Sequence, residues 1–249
     1  LSFMKNAVLS GRKLLIMGGT SGAVYDILQY AQSNHVYTIV ADNIELSPAK
    51  LIADESWLIS TAEIDKIVEL AKETGVDGVI AGISEFNIER AMSVCHKLGL
   101  PFYASREQWN LLSNKSHFKQ LCRDNRIRVP EQYAIEKLLQ GDAQGATFPV
   151  LIKPVDSSGG RGVYICAGLN EVAGLYEKSR EFSKNGQVLV ERYVTGQEVT
   201  IFYVAQDGEV YLTAMADRHT QHRHNEIIPL PVAYIFPSQH LEAYQETLH

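Results

Sequence analysis

A loop rich in serine and glycine lies between two apolar segments near the middle of the chain. The stretch runs from Phe148 to Ile165 and reads FPVLIKPVDSSGGRGVYI. Glycine lets a backbone approach a ligand closely, and the successive N–H groups of such a loop can bind an anion. The loop alone is also compatible with a flexible hairpin. Its candidate anion-binding residues are Ser157, Ser158, Gly159, Gly160 and Gly162, with Arg161 beside them.

Lys153 lies just before this loop, directly after the apolar residues of a predicted strand. A buried ammonium group without a partner is unfavourable, so the Lys153 amine must reach one. That partner is either an anionic ligand or a neighbouring carboxylate, and the sequence leaves both open. Two glutamates follow in the segment VLVERYVTGQE, with Glu191 at the end of one apolar strand and Glu198 at the start of the next.

A polar segment, MADRHTQHRHNE, follows further along the chain and contains three closely spaced histidines. His219, His222 and His224 could in principle bind zinc, but nothing nearby supplies a second patterned group of ligands. A solvated polar loop is the alternative, and we predict no metal site here.

A second glycine-containing loop, GGTSGAVYD, lies near the N-terminus between a predicted strand and a predicted helix. This is where a dinucleotide-binding loop would lie, and Asp42 at the end of the next strand is the only candidate for binding a ribose. The full GxGxxG spacing is missing. The alternative is a tight turn that caps the helix, and a dinucleotide-dependent oxidoreductase is therefore the weaker functional hypothesis.

The composition is that of an ordinary globular protein. The 249 residues are 45% hydrophobic and 21% charged, with a formal net charge of −6 and scattered basic residues, so a large nucleic-acid surface is not expected. No apolar run approaches the length of a membrane span. Three widely spaced cysteines without a CxxC pair indicate reduced thiols, and we expect a cytoplasmic protein.

The elements that must position these residues fall into two groups. In the first hundred residues, apolar strands at 13–17, 37–42, 56–60 and 77–82 alternate with amphipathic helices, two of which end at Gly75 and Gly99. This alternation predicts a parallel sheet covered on both faces, a Rossmann-like layer.

The second half has a different pattern. Residues 106–127 are predicted to be helical, and Ser113 or Asn114 could cap the helix that carries Lys115. A strand, the serine- and glycine-rich loop, another strand and a helix follow, and Asp207–Gly208 predicts a hairpin near the end. We predict an α+β second half with antiparallel strands and a boundary near residue 105.

Four features occur in one order along the chain. They are Lys115 on a helix, Lys153 on a strand, the loop SSGGRG and the segment VERYVTGQE. This order resembles the ATP-grasp superfamily, and the surrounding sequence is most similar to the branch that contains the carbamoyl phosphate synthase large subunit and biotin carboxylase. The resemblance implies a Rossmann-like pre-ATP-grasp domain at 1–105, a subdomain with the glycine-rich loop at 106–190, and the start of the C-terminal lobe at 191–249.

The resemblance also implies roles for individual residues. Lys115 and Lys153 would contact phosphate oxygens, and residues 157–162 would fold over them as a lid. The segment from Glu191 through Arg192 and Tyr193 to Val194 would bind adenine, and Glu198 would hold the ribose. Arg218 and Arg223, in the polar segment, would contact the transferred phosphate or the substrate, with His219 and His224 as further candidates.

The chemistry implied is that of an ATP-dependent ligase. A carboxylate is activated as an acyl phosphate, and an amine or similar nucleophile then displaces the phosphate. ATP-grasp enzymes normally hold magnesium with a Glu and a Glu-x-Asn pair late in the domain, and no such pair follows the hairpin in this sequence. We therefore expect an incomplete ATP-grasp domain, without magnesium ligands and inactive by itself. A nucleotide-binding module without chemistry is the alternative, and a homodimer is compatible with the resemblance.

Overall fold

The computed structural model describes residues 8–221 and 230–248. The chain divides into two compact units, residues 1–113 and residues 114–249. Among the described residues, no helix is both long enough and apolar enough to cross a membrane.

The first unit is built on a four-stranded parallel sheet. Its strands are β1 (Lys13–Met17), β2 (Tyr37–Asp42), β3 (Glu55–Leu58) and β4 (Gly78–Ala81), in the spatial order β3-β2-β1-β4. Each neighbouring pair is parallel. The four predicted strands are therefore confirmed, with β1 and β2 ending at the predicted residues.

Three helices pack on this sheet, α1 (Gly22–Ser33), α2 (Ile64–Thr74) and α3 (Glu85–Leu98), and a 3₁₀ turn lies at Pro48–Leu51. Helix α4 (Arg106–Ser113) follows α3 and has no buried residue. Gly75 and Gly99 follow α2 and α3 in the left-handed conformation, with φ of 72° and 68°, so both predicted glycine caps are confirmed.

Alternating side chains of β1 enter two different cores. Leu15 and Met17 belong to one cluster, which includes residues of α2 and α3, whereas Ile16 belongs to another with Val24 and Leu28 of α1. Successive side chains of a strand point to opposite faces. The parallel sheet is therefore buried on both faces, as its uninterrupted apolar strands predict.

The second unit begins with a mixed segment around a four-stranded antiparallel sheet. Its elements are α5 (Lys115–Asp124), β5 (Gln132–Tyr133), α6 (Ile135–Leu139), β6 (Val150–Pro154), β7 (Tyr164–Cys166), a 3₁₀ turn (Leu169–Glu171), α7 (Val172–Arg180) and β8 (Val188–Arg192). The strand order is β5-β8-β6-β7. The core beneath this sheet contains Val150, Ile152, Val172 and Val190.

A three-stranded antiparallel sheet follows. It consists of β9 (Glu198–Gln206), β10 (Glu209–Gln221) and β11 (Leu230–Ile235) in the order β11-β10-β9, and helix α8 (Leu241–Glu246) comes after it. Asp207 and Gly208 join β9 to β10 with φ of 54° and 84°, the left-handed values that a tight hairpin needs at both central residues. The predicted hairpin is confirmed.

Candidate functional site

A buried cluster of two lysines and one glutamate lies in the second unit. Glu191, on β8, is 3% exposed and pairs across the sheet with Leu151 on β6. The Nζ of Lys153, also on β6, contacts Oε1 of Glu191, and the Nζ of Lys119, on α5, lies 2.7 Å from Oε2. Each oxygen of this carboxylate therefore faces its own ammonium group.

Lys119 belongs to this cluster although sequence reasoning did not select it. It lies four residues after Lys115 on α5, and residues at this spacing share one face of a helix. The signal that could have found it is this spacing, because a lysine on the same face as a candidate phosphate ligand points towards the same region.

Helix α5 is fixed to the start of the loop that follows β6. The Asn114 side chain caps the helix by accepting hydrogen bonds from the N–H groups of Ser116 and His117, at 2.9 and 3.2 Å, so the predicted cap is confirmed. The backbone N–H of Lys115 donates to the carbonyl of Val155 at 2.9 Å. Its Nζ donates to the carbonyl of Ser157 at 2.5 Å, which holds the lysine beside the loop.

The loop itself is a folded turn that depends on its glycines. Gly159, Gly160 and Gly162 have φ of 63°, 74° and 74°, the left-handed region that residues with a Cβ rarely adopt. The Ser157 hydroxyl donates to the carbonyl of Arg161 at 2.9 Å and closes the turn. The loop can therefore present backbone groups to a ligand without side chains in the way.

Gly162 has a second reason to lack a side chain. A Cβ built there would lie 2.7 Å from Cβ of Phe182 and 2.8 Å from Cγ of Pro154. The backbone therefore passes against these two side chains at the end of the loop. At Gly159 the same construction meets no atom within 4 Å.

Two backbone hydrogen bonds hold the segment that follows Glu191. The Arg192 N–H donates to the carbonyl of Glu131 at 2.8 Å, and the Tyr193 N–H donates to the carbonyl of Pro149 at 3.3 Å. Val194 follows with an exposed side chain. The connection from β8 to β9 is thus anchored at its β8 end, next to Glu191.

Glu198 and Arg218 lie opposite each other on β9 and β10 and form an ion pair. Their predicted roles are separate, one on the ribose and one near the transferred phosphate, whereas in the structure each is the partner of the other. The side chain of Arg218 is 23% exposed and that of Glu198 is 42% exposed.

Asp217 anchors the chain next to Arg218, although no sequence pattern singles it out. Its carboxylate accepts hydrogen bonds from the Ser238 hydroxyl at 2.6 Å and from the Gln239 N–H at 3.3 Å. The Ser238 hydrogen bond is the main cause that lowers the pKa of Asp217 below its ordinary value. The segment after β11 is thereby fastened to β10.

The polar segment lies partly outside the part of the chain that the structure describes. His222, Arg223 and His224 are outside the described residues, whereas His219 lies on β10 opposite Ala233. Within residues 8–221 and 230–248, no group of three His, Cys, Asp or Glu side chains could hold a metal ion.

The GGTSG loop of the first unit is packed against the protein's own side chains. A Cβ at Gly18 would collide with Asn87, and one at Gly19 would collide with Ser47. Asp42 is buried, and its two oxygens accept hydrogen bonds from the N–H groups of Gly19, at 2.6 Å, and Ile44, at 2.7 Å. These contacts are what the alternative of a structural turn predicts.

A Glu-x-Asn triplet does occur in the chain, but in the first unit. Glu85 and Asn87 lie at the start of α3, and the Asn87 side chain accepts a hydrogen bond from the Thr61 hydroxyl at 2.7 Å. Its surroundings are those of a residue that supports the GGTSG loop. It is not part of the lysine–glutamate cluster.

Comparison with known proteins identifies the fold that carries this cluster. Residues 98–216, which include Lys115, Lys119, Lys153, Glu191 and Glu198, match the family described as sugar-transfer associated ATP-grasp. This match, together with the relatives and solved structures below, supports the ATP-grasp superfamily and its biotin carboxylase-like branch. The predicted resemblance, including the likeness to biotin carboxylase, is thus confirmed.

Curated relatives of this chain include formyltransferases and a carboxylase, at low identity. Formate-dependent phosphoribosylglycinamide formyltransferase of Wolinella succinogenes is 22% identical over 187 residues, 73% of this chain and 48% of the relative. The 2-oxoglutarate carboxylase small subunit of Hydrogenobacter thermophilus is 25% identical over 217 residues, 78% and 45% of the two chains. The chain spans about half the length of these curated relatives.

Solved structures share the fold over almost the whole chain. The biotin carboxylase domain of the Hydrogenobacter thermophilus 2-oxoglutarate carboxylase, a dimer solved with MgADP, ADP and bicarbonate, has a TM-score of 0.79 at 22% identity. The match covers 95% of this chain and 55% of that one. L-amino acid ligase of Bacillus licheniformis has a TM-score of 0.74 at 16% identity, with coverages of 96% and 58%.

Proposed function

We propose that this chain is the nucleotide-binding part of an ATP-dependent ligase, which activates a carboxylate as an acyl phosphate and transfers the acyl group to an amine or similar nucleophile. The observation that carries the proposal is the convergence of Lys115, Lys119 and Lys153 around Glu191 and the start of the glycine-rich loop. Ammonium groups beside a loop of accessible N–H groups suit a polyphosphate.

The charges of the cluster support this assignment. The cluster of Lys119, Lys153 and Glu191 has one net positive charge, and Lys115 on the same helix as Lys119 adds a second, which attracts an anionic ligand more strongly than a balanced ion pair would. In the proposed complex, Lys115 and Lys153 contact phosphate oxygens and residues 157–162 cover them. Residues 191–194 bind adenine, Glu198 binds the ribose, and Arg218 with Arg223 neutralises the transferred phosphate.

The proposed reaction has two displacements. A carboxylate oxygen of the substrate attacks the γ-phosphorus of ATP, the bond to the β–γ bridging oxygen breaks, and ADP leaves. The amine then attacks the acyl carbon, loses a proton, and inorganic phosphate leaves. The chain's own residues position the phosphates and neutralise charge, which is the main requirement for phosphoryl transfer.

Among the described residues, no group of three His, Cys, Asp or Glu side chains could hold a metal ion, although a structure with the same fold was solved with MgADP. We therefore assign no magnesium ligand to them. We propose that the ATP-grasp domain continues beyond residue 249 in the natural protein, and that turnover depends on that continuation. The chain covers only about half the length of its curated relatives, which supports this proposal.

The finer domain description is part of the same proposal. Residues 1–105 form a Rossmann-like pre-ATP-grasp domain, residues 106–190 the subdomain with the glycine-rich loop, and residues 191–249 the start of the C-terminal lobe. The parallel order β3-β2-β1-β4 supports the first assignment. We also propose a cytoplasmic protein that acts on small molecules as a homodimer; three buried free cysteines and the dimeric biotin carboxylase domain support these points.

Two alternatives make different predictions. A nucleotide-binding module without chemistry would bind ATP in the natural full-length protein and never consume it. A dinucleotide-dependent oxidoreductase is disfavoured because Asp42 is engaged by backbone N–H groups. The chain also contains a Tyr-x-x-x-Lys spacing, but Tyr133 ends β5 and Lys137 lies in α6, so one helix does not present both.

The test is thermal shift with ATP, ADP and NAD, followed by an assay of ADP release with a panel of carboxylates and amines. We expect stabilisation by ATP and ADP, and carboxylate-dependent ADP release from the natural full-length protein. Selective stabilisation by NAD would overturn the ATP assignment. ATP binding without ADP release for every substrate would favour the module.

A further inference from the structure

Lys119 is a buried lysine to which the proposed nucleotide contacts give no role. The residue is 8% exposed, and its ammonium nitrogen lies 2.7 Å from Oε2 of Glu191. Burying an ammonium group is unfavourable unless it is paired, so this position is maintained by its partner. The question is why Glu191, which already contacts Lys153, needs a second counterion.

The two lysines differ in how freely they can move. The side chain of Lys153 is 16% exposed and comes from β6 next to the glycine-rich loop, whereas that of Lys119 is 10% exposed. Lys119 also projects from a helix whose start is fixed by the Asn114 cap and by the hydrogen bond from Lys115 to Val155. Lys153 is the better placed of the two to turn towards a ligand.

If Lys153 turned to a phosphate oxygen and Glu191 had no other counterion, a buried carboxylate would remain uncompensated. Removing one partner of a buried ion pair is strongly unfavourable for this reason. That free-energy penalty would make the binding free energy of the nucleotide less favourable. Lys119 removes it, because the Lys119 ammonium group stays 2.7 Å from Oε2 of Glu191 when Lys153 turns away.

We propose that Lys119 is a positioning residue for nucleotide binding. It compensates the charge of Glu191 and thereby allows the Lys153 side chain to turn from Glu191 to a phosphate oxygen. This inference rests on the proposed function. It assigns Lys119 no contact with the nucleotide, so its effect must pass through Glu191.

The experiment measures MgATP affinity by calorimetry in the natural full-length protein. Lys119→Met should weaken binding about tenfold or more, because Lys153 is then the sole counterion of Glu191. Lys119→Arg, which keeps the charge, should stay within about threefold of wild type. Lys137→Met, at an exposed position on α6, is the matched control and should leave the affinity unchanged.

The decisive measurement is the effect of Lys119→Met when Glu191 is already Gln. Because the glutamine side chain is neutral, it needs no counterion when Lys153 turns to phosphate. In this background Lys119→Met should therefore weaken MgATP binding by about threefold or less. This double variant removes both charges, so it also guards against a fold defect caused by a single uncompensated charge.

Each other outcome has a definite meaning. Wild-type affinity in Lys119→Met, or an equal loss with and without the Glu191 carboxylate, would overturn the role of Lys119 and leave the proposed function standing. If the wild-type protein binds no nucleotide, the proposed function is wrong and this inference is wrong with it.

Discussion

Glu198 and Arg218 face each other across the β9–β10 ladder and form an ion pair. In the proposed complex both residues turn to the nucleotide, Glu198 to the ribose hydroxyls and Arg218 to the transferred phosphate. Occupation of the ribose position would then release the arginine. The binding of the two ends of ATP would therefore be linked through this pair.

The first prediction concerns Glu198→Gln. The substitution should weaken MgATP binding by about 1.5–3 kcal/mol, the range for hydrogen bonds to a charged group. Binding of tripolyphosphate, which has no ribose, should be unchanged or tighter, because Arg218 loses its competing partner. Calorimetry with both ligands checks this. Glu209→Gln, at the other end of the hairpin, is the control, and an equal loss for both ligands in Glu198→Gln would contradict the ribose role.

The second prediction concerns Lys153→Ala. Loss of a charge-assisted contact to phosphate should weaken MgATP binding by about 1.5–3 kcal/mol. The melting temperature of the empty protein should change little, because Lys119 still compensates Glu191. Calorimetry and a thermal melt measure the two quantities. Lys178→Ala, at an exposed position on α7, should change neither.

Equal ATP affinity in wild type and Lys153→Ala would contradict the phosphate contact. A large fall in melting temperature together with unchanged affinity would instead identify Lys153 as a purely structural partner of Glu191.

Much of the fold follows from local sequence patterns. Strands β1 (KLLIM) and β2 (YTIVAD) are short segments rich in strand-forming apolar residues, and the predicted ends of both agree with the structure to the residue. The β9–β10 hairpin follows from Asp207–Gly208, because few other residue pairs accept two left-handed conformations in succession. The short helix α6 has five residues, too few to show a helical period, and was not predicted.

The candidate site was only partly predictable, because its contacts join residues far apart in sequence. Lys153 needed a partner, and the sequence allowed a carboxylate or a ligand; the identity of the carboxylate depends on the register of β6 against β8. Lys119 is buried only because α5 presents it to Glu191. The pairing of Glu198 with Arg218 depends on a register shift in the hairpin between Leu212 and Ala214, which no local pattern indicates.

The third prediction concerns Ser238→Ala and pH. The Ser238 hydroxyl donates to Asp217 and is the main reason why the pKa of Asp217 is lowered. A carboxyl group with a lowered folded-state pKa adds stability above its unfolded-state pKa and loses it as the pH falls through the folded-state value. Ser238→Ala should therefore lower the free energy of unfolding at pH 7, and the difference from wild type should shrink below about pH 4.

Urea unfolding at pH 7 and pH 3 measures this difference. Ser238 also accepts a hydrogen bond from the His240 N–H, so part of the loss should persist at low pH. In an Asp217→Asn background the effect of Ser238→Ala should no longer depend on pH. A difference of the same size at both pH values in the wild-type background would show that the carboxylate is not involved.

The fourth prediction compares Gly162→Ala with Gly159→Ala. Both glycines have left-handed φ, so alanine should cost about 1–2 kcal/mol of unfolding free energy at either position. At Gly162 the new Cβ would also lie within 2.8 Å of carbon atoms of Phe182 and Pro154, whereas at Gly159 it meets open space. Overpacking typically costs a further 1–3 kcal/mol, roughly, so Gly162→Ala should be the more destabilising substitution.

The measurement is chemical unfolding of both variants, with the double variant Gly162→Ala and Phe182→Gly as the control for the contact. Glycine removes the Cβ and the ring of Phe182, so the additional cost of alanine at Gly162, measured in the Phe182→Gly background, should fall in part, with the contact to Pro154 remaining. If the two glycine variants are equally destabilised, the end of the loop can move away from Phe182. Gly162 would then not be the residue that anchors the end of the 157–161 loop.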